Sequence, residues 1–466
     1  MHLVGPALGL IDAAIVGRAT GGPAGTAAVA LAALSPGTVV VDYSCYLATA
    51  LAVAATNALA LRFARRDGPG AGAALGDALT TAALAGVGLG AFQWFAGPRL
   101  AAALLAGSAS ASPDGAAAVA EAATLYIRTR AVAAPAALVG FIAQAFFLAA
   151  RSPGPPLVAA LVSGAFNLAG DWGLCVWPLR TGIAGAGGAT SLAVCAGTAA
   201  LLVALGRPAR GAVARAALPS PDFTPGPLRV LFGRWPSRAS LASTARLAGP
   251  VVALLTVKVL FYAALAAAAS TVGGPAGSAA HHVAITSFIL FATAGDAVGA
   301  AAQAWLPGAV GDPAAAGSVS SRLLAVGVAV GALNCVGAGA ALAAAAPLFS
   351  PDPAVAASLG ALAPAVGGCL ALHAASMATE GMLLAGRDLR FLGTTNAVNV
   401  GAALAALALR TSGGAGGGLG GVWATLAQFQ GTRLAFNAWR LWGSAGSPLK
   451  ATVALRLDGG GVVQAA

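Results

Sequence analysis

The decapeptide FNLAGDWGLC, residues 166–175, lies within a long apolar run yet carries Asn167 and Asp171 four positions apart. On a helix that spacing stacks an amide and a carboxylate on one face, one turn from each other. A carboxyl group away from water resists ionisation, so it can hold a proton in one conformation and release it in another. An amide beside it donates and accepts hydrogen bonds while staying neutral. The chemistry open to this pair is reversible binding of a proton. Four more acids in apolar segments are candidates: Asp12, Asp42, Asp296 and Glu380. An ionised Asp at mid-bilayer costs about 2.5–3.5 kcal/mol on insertion scales, so few are placed there without a role. The plain alternative is a carboxylate near a span end, bonded to backbone. No run of basic residues is found at matching depth to pair with all five.

Other polar and aromatic residues allow two readings each. Asn57, Gln144, Gln303 and Gln428 are lone amides on apolar faces, suited to helix–helix hydrogen bonding or to substrate contact. Tyr43, Tyr126, Phe141 and Trp172 could line a cleft for aromatic compounds, or pack and anchor as membrane aromatics commonly do. The cleft set expected from sequence is Asp42, Tyr43, Asn57, Gln144 and Gln303. His281 and His282 begin an apolar segment and could sense pH, although a fringe position favours a plainer role. Arg128 and Arg130 are expected to snorkel to a surface. The five cysteines are scattered singly, with no CxxC or Cys/His cluster, so neither a metal site nor a disulfide framework is indicated.

These residues need elements to hold them, and composition fixes the kind. The chain is 58% hydrophobic and 8% charged, with mean hydropathy +0.84; soluble domains carry about 25% charged residues. Its apolar blocks exceed the ~20 residues that cross a bilayer and lack the strand-like alternation of a β-barrel. A polytopic helical membrane protein follows. Twelve spans are expected, near 1–18, 31–61, 73–106, 117–150, 155–178, 183–206, 245–270, 276–308, 320–348, 354–386, 390–409 and 417–440. Eighteen Lys and Arg fall in even loops and the C-terminal end, against four in odd loops (Arg18, Arg99, Arg180 and Arg410). That asymmetry puts both termini on the cytosol-like side and explains the net charge of +11 as topology, with no nucleic-acid partner. Met1 leads straight into apolar sequence, so the first span is expected to be short or to continue an upstream segment. No targeting peptide is visible, which leaves the compartment open.

Residues 207–244 hold a run of arginines and prolines and read as a basic linker between two halves, 1–206 and 245–440, with a tail at 441–466. The halves echo one another. HLVGPALGLI resembles ARLAGPVVAL, with Pro6 matched to Pro250, and GIAGAGGAT resembles GLGGVWAT, with Gly182 matched to Gly418. Repeated halves are common in secondary transporters.

Six segments in order, GLIDAAIVG, LAALSPGTVVVDYSCYLATALAVAATN, YIRTRAVAAPAALVGFIAQ, FNLAGDWGLC, GIAGAGGAT and EGMLLAGRDLRF, resemble multidrug and toxic compound extrusion (MATE) transporters. The likeness runs from about residue 5 to 440 and is to the DinF-like branch, especially its plant and algal plastid-type members. The resemblance implies twelve transmembrane helices in two six-helix bundles related by pseudo-twofold symmetry, working by alternating access. It implies antiport of H+ or Na+ against an organic cation, phenolic compound or organic acid, with no other cofactor. Carried over residue by residue, the cation site comprises Asp12, Asn167, Asp171 and Thr190. Asp296 and Glu380 form a second acidic site, either for coupling or as countercharge to a cationic substrate. A monomer in the plastid envelope is expected, and no enzymatic activity. The alternative is a flippase or another twelve-span transporter, although flippases usually line their cleft with cations and the intramembrane charge here reads as acidic. A passive channel would need no titrating groups away from its pore. An intramembrane aspartyl protease would need GxGD followed by PAL, and here PAL at 6–8 comes first.

Overall fold

The computed structural model describes residues 4–19, 24–109, 113–150, 152–176, 179–208, 218–220, 235–306, 312–386, 388–412 and 418–449. Regular structure among them is helical, as Ala- and Leu-rich runs favour and as a lipid environment demands, since each backbone polar group must then be satisfied within its own segment. The helices are α1 (Val4–Ala19), α2 (Ala24–Ala64), α3 (Gly68–Phe95), α4 (Gly97–Ala109), α5 (Pro113–Ala131), α6 (Ala134–Ala149), α7 (Gly154–Gly170), α8 (Ile183–Leu205), α9 (Arg238–Trp305), α10 (Pro313–Phe349), α11 (Pro353–Ala385), α12 (Leu389–Ser412) and α13 (Gly418–Ala438). One π-helical turn, Asp171–Val176, continues α7, and another, Trp439–Gly443, continues α13.

Eight of the described helices are long and apolar enough to cross a membrane, and the bent pair α5–α6 makes a ninth. Helix α9 holds two of the expected spans, because it breaks at Gly274 (φ 56°, ψ −153°). That left-handed conformation suits glycine, and Pro275 behind it brings no N–H to a helical ladder. With α1 and α13 the twelve expected spans are accounted for, and the protein is an all-α polytopic membrane protein. The third span differs from expectation by dividing at Ala96 into α3 and α4, just ahead of the Gly97–Pro98 pair. Asp67 caps α3, its Oδ1 accepting from the Gly70 N–H at 2.8 Å.

The span made by α5 and α6 bends by 51° between Ala131 and Ala134, where Pro135 opens α6 without a donor. The bend puts Arg130 midway along that span rather than at its end. Helix α3 crosses it closely: a Cβ on Gly86 would lie 2.5 Å from Pro135 Cα, so only glycine lets the two backbones meet. The described contacts gather into two compact units, Met1–His282 with Leu348–Val355, and Val283–Pro347 with Ala356–Ala466. The expected linker lies mostly outside the described residues, at 209–217 and 221–234, as does the tail from 450 onward.

Candidate coupling site in the first unit

Helices α1, α7 and α8 bring together the four residues expected of a cation site. Glycines set the approach. A Cβ on Gly170 would lie 2.9 Å from Ala189 Cβ, and one on Gly187 would fall 2.1 Å from Thr129 Oγ1, so α8 is drawn against both α7 and α5. Thr190, on α8, donates to Asp12 Oδ2 at 3.3 Å and to Ala186 O at 2.8 Å. Asp171 opens the π-helical turn, and Cys175, one turn on, places its thiol 3.9 Å from Asp171 Oδ1. Asn167 and Asp171 both lie within side-chain range of the Asp12 carboxyl.

The site is buried and under-satisfied. Asp171 is 0% exposed, Asn167 1% and Asp12 8%. Asp12 Oδ1, Asp171 Oδ2 and both polar atoms of the Asn167 amide are buried without a hydrogen-bond partner among the described residues. Such groups ordinarily find partners. Two carboxyls, an amide and a hydroxyl converging this way offer oxygen ligands to a small hard cation, or a place for a proton shared between two acids.

The other intramembrane acids are placed differently. Arg130 donates from Nη2 to Asp42 Oδ1 at 2.6 Å and from Nη1 to the Tyr126 hydroxyl at 2.6 Å. Its side chain is 12% exposed, so it does not snorkel; the bend at Ala131 carries it to the depth of Asp42. In the second unit His373 Nε2 lies 3.2 Å from Asp296 Oδ1, and Gln430 Nε2 lies 3.1 Å from His373 Nδ1. Arg433 Nη1 then donates to Gln430 Oε1 at 3.0 Å, and its Nη2 meets Glu380 Oε2. Asp296 and Glu380 are thus the two ends of one polar chain across α9, α11 and α13, each beside a basic residue. Arg433, counted with the C-terminal end in the topology argument, is a structural partner inside α13. Basic side chains stand beside three of the five acids, Asp42, Asp296 and Glu380, that of His373 being charged only when protonated. Asp12 and Asp171 face each other without an ion pair, with Arg130 near enough to act on Asp12 by charge.

Of the remaining cleft candidates, Tyr43 and Gln144 are partly buried on α2 and α6. Gln303 is exposed on α9 and bonds its own helix, Nε2 to Gly299 O at 3.3 Å. The Asn57 side chain lies outside the described residues. His281 and His282 are 2% and 6% exposed, buried rather than at a fringe. Sequence reading missed Asp77, buried in α3, and Gln93, which bonds Ser44 Oγ at 2.9 Å. It also missed His373 and Gln430. Asp77 falls in the expected span 73–106 and a complete scan of acids would have found it; Gln93, His373 and Gln430 needed a scan of every polar residue in the apolar segments.

No protein-family profile matches the chain. Protein DETOXIFICATION 47, chloroplastic, of Arabidopsis thaliana is 27% identical over 451 residues, 96% of this chain and 76% of that protein. Among solved structures, the inward-facing conformation of a multidrug resistance MATE family transporter of the MOP superfamily matches with a TM-score of 0.66 at 18% identity, covering 93% of both chains. This is the MATE fold. A MATE structure in the straight conformation matches at TM-score 0.60 and 19% identity, over 94% of this chain and 93% of that one. A MOP superfamily transporter from Pyrococcus furiosus, described as having a binding pocket of reverse polarity, matches at 0.59 and 16%, over 94% and 93%. The motif resemblance to plastid-type MATE proteins is therefore met by a chloroplastic relative and by the MATE fold.

Proposed function

We propose that this protein is a MATE-type secondary active exporter, moving a small organic molecule by alternating access in exchange for H+ or Na+. Asp12, Asn167, Asp171 and Thr190 bind the coupling ion. One observation carries the assignment: Asp42, Asp296 and Glu380 each have a basic partner, whereas Asp12 and Asp171 meet around an amide whose two polar atoms are unsatisfied. A cation or proton resolves that arrangement, and its binding strength then differs between conformations, as coupling requires. The chloroplastic relative supports a plastid envelope, and the loop charges support termini on the cytosol-like side. The reading keeps the halves at 1–206 and 245–440 as repeated bundles and the chain as a monomer. Asp296 and Glu380 then serve as a braced polar chain of the second unit, with no part in coupling.

Proton release from purified protein in weakly buffered detergent tests this, with organic cations, phenolic compounds and organic acids added in turn. A compound that releases protons from wild type but not from Asp171→Asn supports the site. Loss of the signal only in Asp296→Asn moves coupling to the second unit and refutes the assignment. Where H+ gives no signal, the same panel with Na+ separates the two ions.

A further inference from the structure

The turn of α5 that carries Arg130 is held from two sides. A Cβ on Gly37 of α2 would lie 2.6 Å from Tyr126 Cδ1, and one on Gly187 of α8 would lie 3.3 Å from Tyr126 O, so glycines let both helices close on this turn. The bend that follows supplies a further tie. Ala133 N–H donates to Arg130 O at 3.1 Å, one residue short of the usual helical acceptor, Thr129 O, and that carbonyl accepts from Ser191 Oγ at 2.8 Å instead. Thr129 and Ser191 are the chain neighbours of Arg130 and Thr190, and Thr190 bonds Asp12. The bend thus fastens the arginine's turn to the turn of α8 that serves the coupling site.

Two acids therefore share one cation. Arg130 is bonded to Asp42 and to the Tyr126 hydroxyl, each at 2.6 Å, and its charge also reaches Asp12 on α1 and the Cys45 thiol on α2. The two acids differ in access: Asp42 keeps 42% of its side chain exposed, whereas Arg130 keeps 12% and Asp12 is buried. A buried guanidinium left without a counter-ion is strongly destabilising, so it stays with whichever acid carries the more negative charge. A cation held between Asp12 and Asp171 reduces the charge there and leaves Arg130 to Asp42. A cation arriving at the exposed Asp42 carboxylate competes with Arg130 for it. Once displaced, the guanidinium has Asp12 as its remaining acid, and its charge there opposes any cation in the coupling site.

We propose that Arg130 is the positioning residue that makes the coupling ion and a cationic ligand at Asp42 exclude one another, serving Asp42 while the coupling site is filled and Asp12 while Asp42 holds the ligand. The two cations then need no shared carboxylate, and linkage makes the exclusion reciprocal. The proposal rests on the exporter reading for transport but not for binding, so the two fail separately.

The test is equilibrium binding of phenyltrimethylammonium, a permanent cation, to the full chain in detergent and alkaline, Na+-free buffer. Asp12→Asn removes the second acid open to Arg130 and is expected to weaken probe binding by about 5–150-fold, the range of such couplings. In an Arg130→Gln background the same Asp12→Asn change is expected to have no effect, and Arg130→Lys, which keeps the charge, is expected to restore the dependence. A merely structural arginine would lower probe binding without altering its response to Asp12→Asn. If Arg130→Gln does not insert, Asp12→Asn alone still decides, since probe binding indifferent to it overturns the proposal. So does a wild type that binds no probe, or a dependence that survives Arg130→Gln. In proteoliposomes, Arg130-dependent linkage without gradient-driven flux would remove the exporter reading and leave the arginine's role in binding standing. Gradient-driven flux without the linkage would do the reverse.

Discussion

Replacing Asn167 by leucine should make the protein both more stable and inactive. Asn167 is 1% exposed, and neither Oδ1 nor Nδ2 has a hydrogen-bond partner among the described residues. A buried polar group left unmade costs about 1–3 kcal/mol, Asn167→Leu removes two of them, and the larger leucine gives back about 1–3 kcal/mol in overpacking. In Na+-free buffer a net gain of about 1–2 kcal/mol is therefore expected for Asn167→Leu. Asn334 is the control: its Nδ2 donates to Phe291 O at 2.9 Å, so Asn334→Leu removes a bond that exists and should destabilise. Denaturant titration in mixed micelles, followed by tryptophan fluorescence, measures both. Added coupling ion should then stabilise wild type, since a ligand that binds only the folded state adds to its stability, and leave Asn167→Leu unmoved. If Asn167→Leu loses as much as Asn334→Leu in cation-free buffer, the amide is already satisfied and the case for an ion site there collapses.

Two further perturbations probe what holds the site in place. Arg130→Met strands the Asp42 carboxylate, so Asp42→Asn added to it should recover part of the loss; a double-mutant cycle on unfolding is expected to give a coupling of about 0.5–3 kcal/mol, and additive effects would mean the pair contributes nothing. Gly170→Ala places a Cβ 2.9 Å from Ala189 Cβ and 3.0 Å from its Cα, which should cost about 1–3 kcal/mol and lower substrate-evoked proton release by moving α7 from α8, with unchanged melting and release as the contrary result.

The parts of this molecule that were legible in its sequence are those set by local spacing. Asn167 and Asp171 share a helix face because they are four residues apart, and that could be read directly. Apolar run length likewise gave the twelve spans, apart from the division at Ala96. Depth was harder to read. Arg130 looked like the start of a span because a proline-induced bend cannot be measured from composition, and Pro135 was the only local sign of it. The pairings of Asp296 with His373 and of Glu380 with Arg433 join helices far apart in sequence. Such partners are chosen by the packing of α9, α11 and α13, which no single segment encodes. His281 and His282 seemed to border a loop, yet α9 is already helical on both sides of Gly274 and buries them.

The separation of these partners along the chain also bears on how the protein is made. Asp42 and Arg130 are 88 residues apart, and Asp12 and Thr190 are 178 apart. At ~5–20 residues per second of synthesis, Asp42 waits roughly 4–18 s for its arginine, and Asp12 roughly 9–36 s for its threonine. During that interval each acid-bearing segment has left the ribosome without the partner it has in the finished protein. Loss of Arg130 would thus act first on the yield of inserted protein, before any transport cycle begins.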